Sequence, residues 1–239
     1  MDLVTANHVL ASENVVDAFG HVSVRHPQKP DRFFLSCSRS PALVSMSDIM
    51  EFNLDGTVCG PDDRKPYLER FIHGAIYEAR DDIHSVVHNH SADLIPFGVT
   101  NTPVKPLLHV AGAIGKEVPI WDIRDSFGDT SLLVTNMTQA RDLSGALGDA
   151  TAILMRGHGA VVTGHSIKSA VLTAIYLQLN AKLDWKARHL GEVRYLSEGE
   201  IAASDETLLA QVPSERAWAY FVDRSKNARS ALRLRRIRS

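Results

Sequence analysis

The sequence predicts an α/β layered domain built on a largely antiparallel sheet. Three observations carry that expectation. Short β-branched or aromatic stretches recur with turn residues between them, most connections between neighbouring stretches are short, and helical periodicities lie before, between and after them. The chain has 239 residues, 44% of them hydrophobic, which is enough for one sizeable core. No Pro/Gly/Ser-rich linker divides it, so one domain over 1–239 is expected.

Leu3, Ala6, Val9 and Leu10 share one helical face over about 2–13. Gly20 turns the chain into a strand over 21–25, where Val22 and Val24 alternate with Ser23 and Arg25. A hairpin-like loop over 26–31 joins it to a strand over 32–36. A polar loop then leads to a short helix around 47–49, to residues 51–54 and to the Asp55-Gly56 turn. The next helix spans 66–80, with Leu68, Phe71, Ile72, Ala75 and Ile76 as its apolar stripe. Glu69 and His73, four residues apart, can share a face of it.

The His-x-His strand begins right after Asp81-Asp82, and a short helix follows over 92–98. Segments 107–110 and 118–121 read as strands, 138–147 as a helix, and 152–155 and 160–164 as a hairpin. Ser166 is a candidate N-cap for a long helix ending near His189. Segments 200–212 and 213 to about 227 read as helices, with Trp218, Tyr220 and Phe221 available for core or subunit contacts. From about 213 the chain is a helical, basic tail carrying Arg224, Lys226, Arg233, Arg235, Arg236 and Arg238, of a kind that is usually solvated or in contact with another subunit.

The strongest chemical signal is Val86-Val87-His88-Asn89-His90, a β-branched run that ends in a His-x-His pair. Residues two apart on a strand point to one face, so the two imidazoles can chelate. A second apolar run, Ile153-Leu154-Met155, leads into Gly157-His158-Gly159. Any one of these histidines reads most simply as a strand-end residue. As a set they suit one divalent cation with a position left open, the ligand pattern of a catalytic metal site. Zinc, manganese, iron and cobalt all accept three imidazoles.

A formal net charge of −2 argues against a general nucleic-acid binder. Cys37 and Cys59 form no metal knuckle or disulfide framework, which suits a reducing cytoplasmic compartment. The N-terminus lacks a secretory signal pattern, and no segment is long and apolar enough to span a bilayer.

Taken together, Gly20-His21-Val22-Ser23, the serine-rich loop, Glu69-x-x-x-His73 with Tyr77 and Arg80-Asp81-Asp82, His88-x-His90 and His158-Gly159 resemble the class II aldolase/adducin family over about residues 3–195. The resemblance implies a three-layer α-β-α sandwich around a mainly antiparallel sheet and a homotetramer with interfacial active sites. It also implies a divalent metal on His88, His90 and His158, with Glu69 as acid/base or as a fourth ligand.

The departures from the family pattern bear on substrate. Where its sugar-phosphate aldolases cradle a phosphate with small donors, this chain has His21, Ser38-Arg39 and Tyr67-Leu68. An arginine grips a planar carboxylate with two parallel hydrogen bonds, and Tyr67, Phe97 and Phe127 are candidates to flank a flat ring. This pattern resembles the branch that decarboxylates hydroxylated aromatic or pyridine dicarboxylates, of dihydroxyphthalate or hydroxymethylpyridine-dicarboxylate type. Expected roles follow: Glu69 first and His109 second for proton transfer, Arg39 and His21 for the second carboxylate, Ser38 and Tyr67 elsewhere on the substrate. His73 is expected to be a packed helix residue. An aldolase for a small hydroxy-carbonyl or sugar-phosphate substrate is the alternative. A non-catalytic, adducin-like scaffold ranks low, because all four polar site residues are present.

Overall fold

The computed structural model describes residues 2–100 and 102–237. Seven strands form one sheet in the order β3-β2-β1-β4-β7-β6-β5: β1 His21–Arg25, β2 Arg32–Ser36, β3 Ile49–Asn53, β4 Ser85–Asn89, β5 Ile120–Trp121, β6 Ala152–Met155 and β7 Gly159–Gly164. Every pairing is antiparallel except that of β5 with β6. The expected α/β fold with a mainly antiparallel sheet is therefore what the chain adopts.

Alternation along the strands sorts side chains into two cores. Val22, Val87, Val162 and Leu154 face one layer, made by α1 (Asp2–Ser12), α6 (Ile167–Leu190) and α8 (Gln211–Ile237). Phe33, Phe52, Val86, Ile153 and Val161 face the other, made chiefly by α2 (Arg70–Ala79) and α5 (Met137–Leu147). Because helices cover both faces, every residue of β4 and β7 is buried. Each of their fully buried valines contributes about 1.5–3 kcal/mol relative to exposure.

The remaining helices are α3 (Ile95–Gly98), α4 (Ile123–Phe127) and α7 (Glu198–Leu209). The Ser166 hydroxyl accepts from Ser169 N–H and so caps α6 as expected. Trp218 and Phe221 of α8 are buried in the core against α6, whereas Tyr220 is exposed. The backbone of α8 carries the basic tail to Ile237, and the side chains of Arg233, Arg235, Arg236 and Arg238 lie outside the described residues.

Two expectations need correction. Segment 107–110 is not a strand: His109–Ile114 is a 3₁₀ helix. Buried Asn180 of α6 accepts from Leu107 N–H at 3.0 Å and donates to Lys105 C=O at 2.8 Å. A side chain on the helical layer thus satisfies the backbone that a neighbouring strand would have paired. The helix expected over 66–80 starts only at Arg70, with Glu69 at its N-cap. Pro66 pairs with Cys37 in a β-bridge and Ser38 N–H donates to Lys65 C=O, which keeps the approach extended.

Helix α2 buries His73 completely, and its ring sits between His21 and Ser23. Burial first, then neighbouring His88, pushes its pKa from 6.5 down to about 3. The unfolded chain therefore takes up this proton first as pH falls. The stabilisation is complete above pH 6.5 and drains away toward pH 3. The thermal unfolding midpoint should accordingly fall from pH 6.5 downward, and less steeply in His73→Gln. Parallel slopes for the two proteins would refute a neutral buried His73.

Candidate metal centre and adjoining cleft

Glu69, His88, His90 and His158 bring four ligand atoms within 4.8 Å of one another. His88 leaves β4 on the α2 side, paired across the sheet with His21 on β1. His90 follows just beyond the end of the strand, and His90 Nε2 lies 3.1 Å from His88 Nε2 and 3.0 Å from His158 Nε2. Glu69 Oε2 is 3.4 Å from His88 Nε2 and 3.5 Å from His158 Nε2.

Glycine makes the approach of His158 possible. Gly157 adopts φ +66°, a region L side chains rarely enter. A Cβ on Gly159 would lie 2.0 Å from the carbonyl oxygen of Asn89, so only glycine lets this turn press against the end of β4. Leu132, itself at φ 67°, turns its carbonyl toward His158. A leucine at that φ is an outlier of a kind that gathers at functional sites.

The surrounding carbonyls fix which ring nitrogens are free. His88 Nδ1–H donates to Ala160 C=O at 3.2 Å and His158 Nδ1–H to Leu132 C=O at 2.9 Å. A carbonyl only accepts, so both Nε2 atoms carry lone pairs toward the centre. Glu69 Oε1 accepts from Val134 N–H at 3.1 Å, which leaves Oε2 for the cluster. Burial alone would raise the Glu69 pKa, but the facing His88 and His158 outweigh it and hold the carboxyl well below the usual range. Burial, reinforced by His88 and His158, pushes His90 down to about 4. Converging lone pairs and a carboxylate repel one another until a cation sits among them, and the donor set fits a divalent transition metal.

Beside the cluster opens a cleft of about 300 Å³. His21, Ser38, Arg39, Tyr67, Glu69 and His90 line it, together with Phe19, Leu68 and Leu133. The structure thus gathers all the predicted site residues around one space except two, His88 and His158, which complete the metal donor set behind it, and a third, His109. That histidine opens the 3₁₀ helix and lines a separate cavity of about 690 Å³ with Tyr176, Glu200 and Arg216. Its segment is tied to α6 through Asn180, which keeps it away from the four donors.

The ring-flanking residues also differ from expectation. Phe97 is buried in the α6-side core and Phe127 packs against the opposite one. Phe19 and Leu68 instead meet the cleft, with exposures of 66% and 62%. The sequence carried no periodic signal for Phe19, which stands in an irregular segment before β1. Arg39 Nε donates to Leu43 C=O at 2.8 Å and lies 3.5 Å from Asp48, and Tyr67 O–H donates to Arg39 C=O. Among the described residues, the terminal nitrogens of the guanidinium make no hydrogen bond.

Residues 1–185 match the Class II Aldolase and Adducin N-terminal domain. The chain belongs to that family. It is 32% identical to a decarboxylase, tropJ, of Talaromyces stipitatus, over 90% of this chain and 89% of that one. It is 26% identical to a 3,4-dihydroxyphthalate decarboxylase of Arthrobacter keyseri, over 78% and 77%. Its fold matches the solved L-fuculose 1-phosphate aldolase of Glaciozyma antarctica with a TM-score of 0.75 at 23% identity, over 96% of this chain and 89% of that one. The family resemblance read from the sequence therefore holds, and these decarboxylases agree with its decarboxylase side.

Titration of metal-stripped protein with zinc or manganese should saturate at one ion per chain and raise the unfolding midpoint. His90→Ala should weaken binding by at least tenfold, because it removes one of three imidazoles. Binding should also weaken as pH falls toward about 4, where a proton competes with the metal for His90. Unchanged affinity in His90→Ala would remove it from the ligand set.

Proposed function

We propose that this chain is a metal-dependent carbon–carbon lyase that decarboxylates a hydroxylated aromatic or pyridine dicarboxylate. One observation carries the reading: the cleft beside the Glu69, His88, His90 and His158 cluster is walled by an imidazole, a guanidinium and a phenol, with apolar Phe19 and Leu68. Such walls suit a flat ring bearing carboxylates better than a phosphorylated sugar. The decarboxylases among the relatives support the same reading.

His88, His90 and His158 would hold the metal, with Glu69 as a fourth donor only while no substrate is bound. A divalent cation there supplies Lewis acidity toward the negative charge that bond cleavage leaves on the substrate, worth several kcal/mol. Arg39 turns its unbonded terminal nitrogens to the carboxylate that stays, and His21 takes a second oxygen of it. Tyr67 and Phe19 sandwich the ring and fix its angle. The ionised Glu69 Oε2 accepts the proton of a ring hydroxyl and returns it to the carbon that carbon dioxide leaves. Solvent then restores the hydroxyl proton.

The exposed faces of Phe19 and Leu68 suit cover by a neighbouring subunit, in keeping with a homotetramer whose active sites lie at interfaces. Among the described residues no helix is long and apolar enough to cross a membrane.

Metal-loaded enzyme should release carbon dioxide from 3,4-dihydroxyphthalate or from the hydroxymethylpyridine dicarboxylate. Release should stop on chelation and in His88→Ala. Arg39→Ala should raise KM by about ten- to a hundredfold, the worth of one charged hydrogen-bonded contact. Cleavage of a sugar phosphate or hydroxy-ketone, with no carbon dioxide from either acid, would hand the site to an aldolase instead.

A further inference from the structure

Between β1 and α2 runs a chain of four buried polar groups. Tyr77 OH lies 2.7 Å from Ser23 Oγ, Ser23 Oγ lies 2.6 Å from His73 Nδ1, and His73 Nε2 lies 2.6 Å from His21 Nδ1. Tyr77, Ser23 and His73 are fully buried, and His21 is 2% exposed at the wall of the cleft. Nothing in the proposed reaction needs the first three. Their protons nevertheless have a direction.

Tyr77 OH meets Ser23 Oγ and the backbone N–H of Val86, and since an N–H only donates, Ser23 Oγ is the acceptor for the phenol proton among the described residues. A phenol has one proton, so Tyr77 donates it to Ser23. Ser23 then donates to His73 Nδ1. Burial holds His73 neutral, so its single ring proton sits on Nε2 and goes to His21 Nδ1. With Nδ1 accepting, a neutral His21 keeps its proton on Nε2, where the described residues offer no partner. Run the other way, the same chain strands a buried phenol proton with nothing to receive it.

We propose that Tyr77, Ser23 and His73 form a tautomer lock that holds His21 as a neutral Nε2–H donor facing the cleft, selecting a carboxylate oxygen of the substrate there. The role at the cleft rests on the decarboxylase reading; the lock does not. His21 is the group that touches substrate, and Ser23, His73 and Tyr77 are positioning residues. The donor needs no countercharge and cannot serve as a second cationic carboxylate grip. It divides the work with Arg39, which brings the charge.

The test is long-range proton–nitrogen correlation on zinc-loaded, full-length protein labelled with ¹⁵N at histidine, with the His21 signals assigned by their loss in His21→Gln. The wild type should show Nε2 protonated and Nδ1 bare, by a ratio of roughly tenfold or more. Ser23→Ala should cut that ratio several-fold and make the Nδ1–H form detectable, and Ser23→Cys, a weaker donor of similar shape, replaces it if the alanine variant does not fold. Tyr77→Phe leaves the Ser23 hydroxyl pointing at His73 and should keep the Nε2–H form. A wild type protonated at Nδ1, or a ratio unmoved by the Ser23 variants, overturns the lock. In turnover, His21→Phe should raise KM for the dicarboxylate roughly tenfold with a smaller change in kcat, and His21→Gln, which keeps an N–H donor, should recover most of it. An unchanged KM in His21→Phe overturns the donor role. If the wild type releases no carbon dioxide, the decarboxylase reading fails while the nitrogen spectra still decide the lock.

Discussion

The site depends on one close contact, that of the turn before β7 with the end of β4. Gly159 lies where any side chain would strike Asn89 C=O, and through that contact His158 reaches His88 of β4 and His90 just beyond it. Sheet pairing holds the contact in place, since β4 and β7 are antiparallel neighbours in register from Ser85 and Gly164 to Asn89 and Ala160. The same register puts Ala160 C=O against His88 Nδ1, so the pairing that aligns the strands also fixes the tautomer of a candidate ligand. Fold and candidate donor set are therefore one hydrogen-bonded unit here rather than a scaffold with a site added.

Buried charge is arranged economically around this unit. Arg25 is 5% exposed, yet among the described residues it pairs with no carboxylate; it donates to the carbonyls of Ile83, Pro30, Tyr77 and Arg80. Its charge is spread over backbone dipoles that close the end of α2 and the turn into β4. Glu69 is the counterpart near the cluster, buried, with Oε1 accepting from Val134 N–H and Oε2 left to the donor set. Removing either partner of such an arrangement leaves a buried charge without compensation, which costs far more than the pair contributes.

Much of this was legible in the chain because it is local. The His-x-His pair needs only the period of two along a strand, and the glycines flanking His158 announce a tight backbone approach. The cleft walls at His21, Ser38, Arg39 and Tyr67 followed from their places in the family motif. What escaped sequence reasoning is long-range. Asn180 captures the 105–107 segment from 73 residues away or more, turning an apparent strand into a connection and carrying His109 out of reach of the cluster. The extended pairing of Pro66 with Cys37, which delays α2 until Arg70 and leaves Glu69 at its cap, is likewise invisible in helical periodicity. Phe19 reaches the cleft from an irregular segment, and neither of the phenylalanines expected there does.

The neutrality of His21 follows from its surroundings. Its ring centre lies 5.1 Å from that of His88, beside a donor set suited to a divalent cation. A proton on both its nitrogens would set a second positive charge beside the donor set that suits a cation, and like charges repel. Burial first, then His73 and His88, already pull its pKa well below the ordinary value. An imidazole fits at this position beside the donor set when it stays uncharged. The residues that keep it so are Ser23 and His73, whose side chains no solvent reaches.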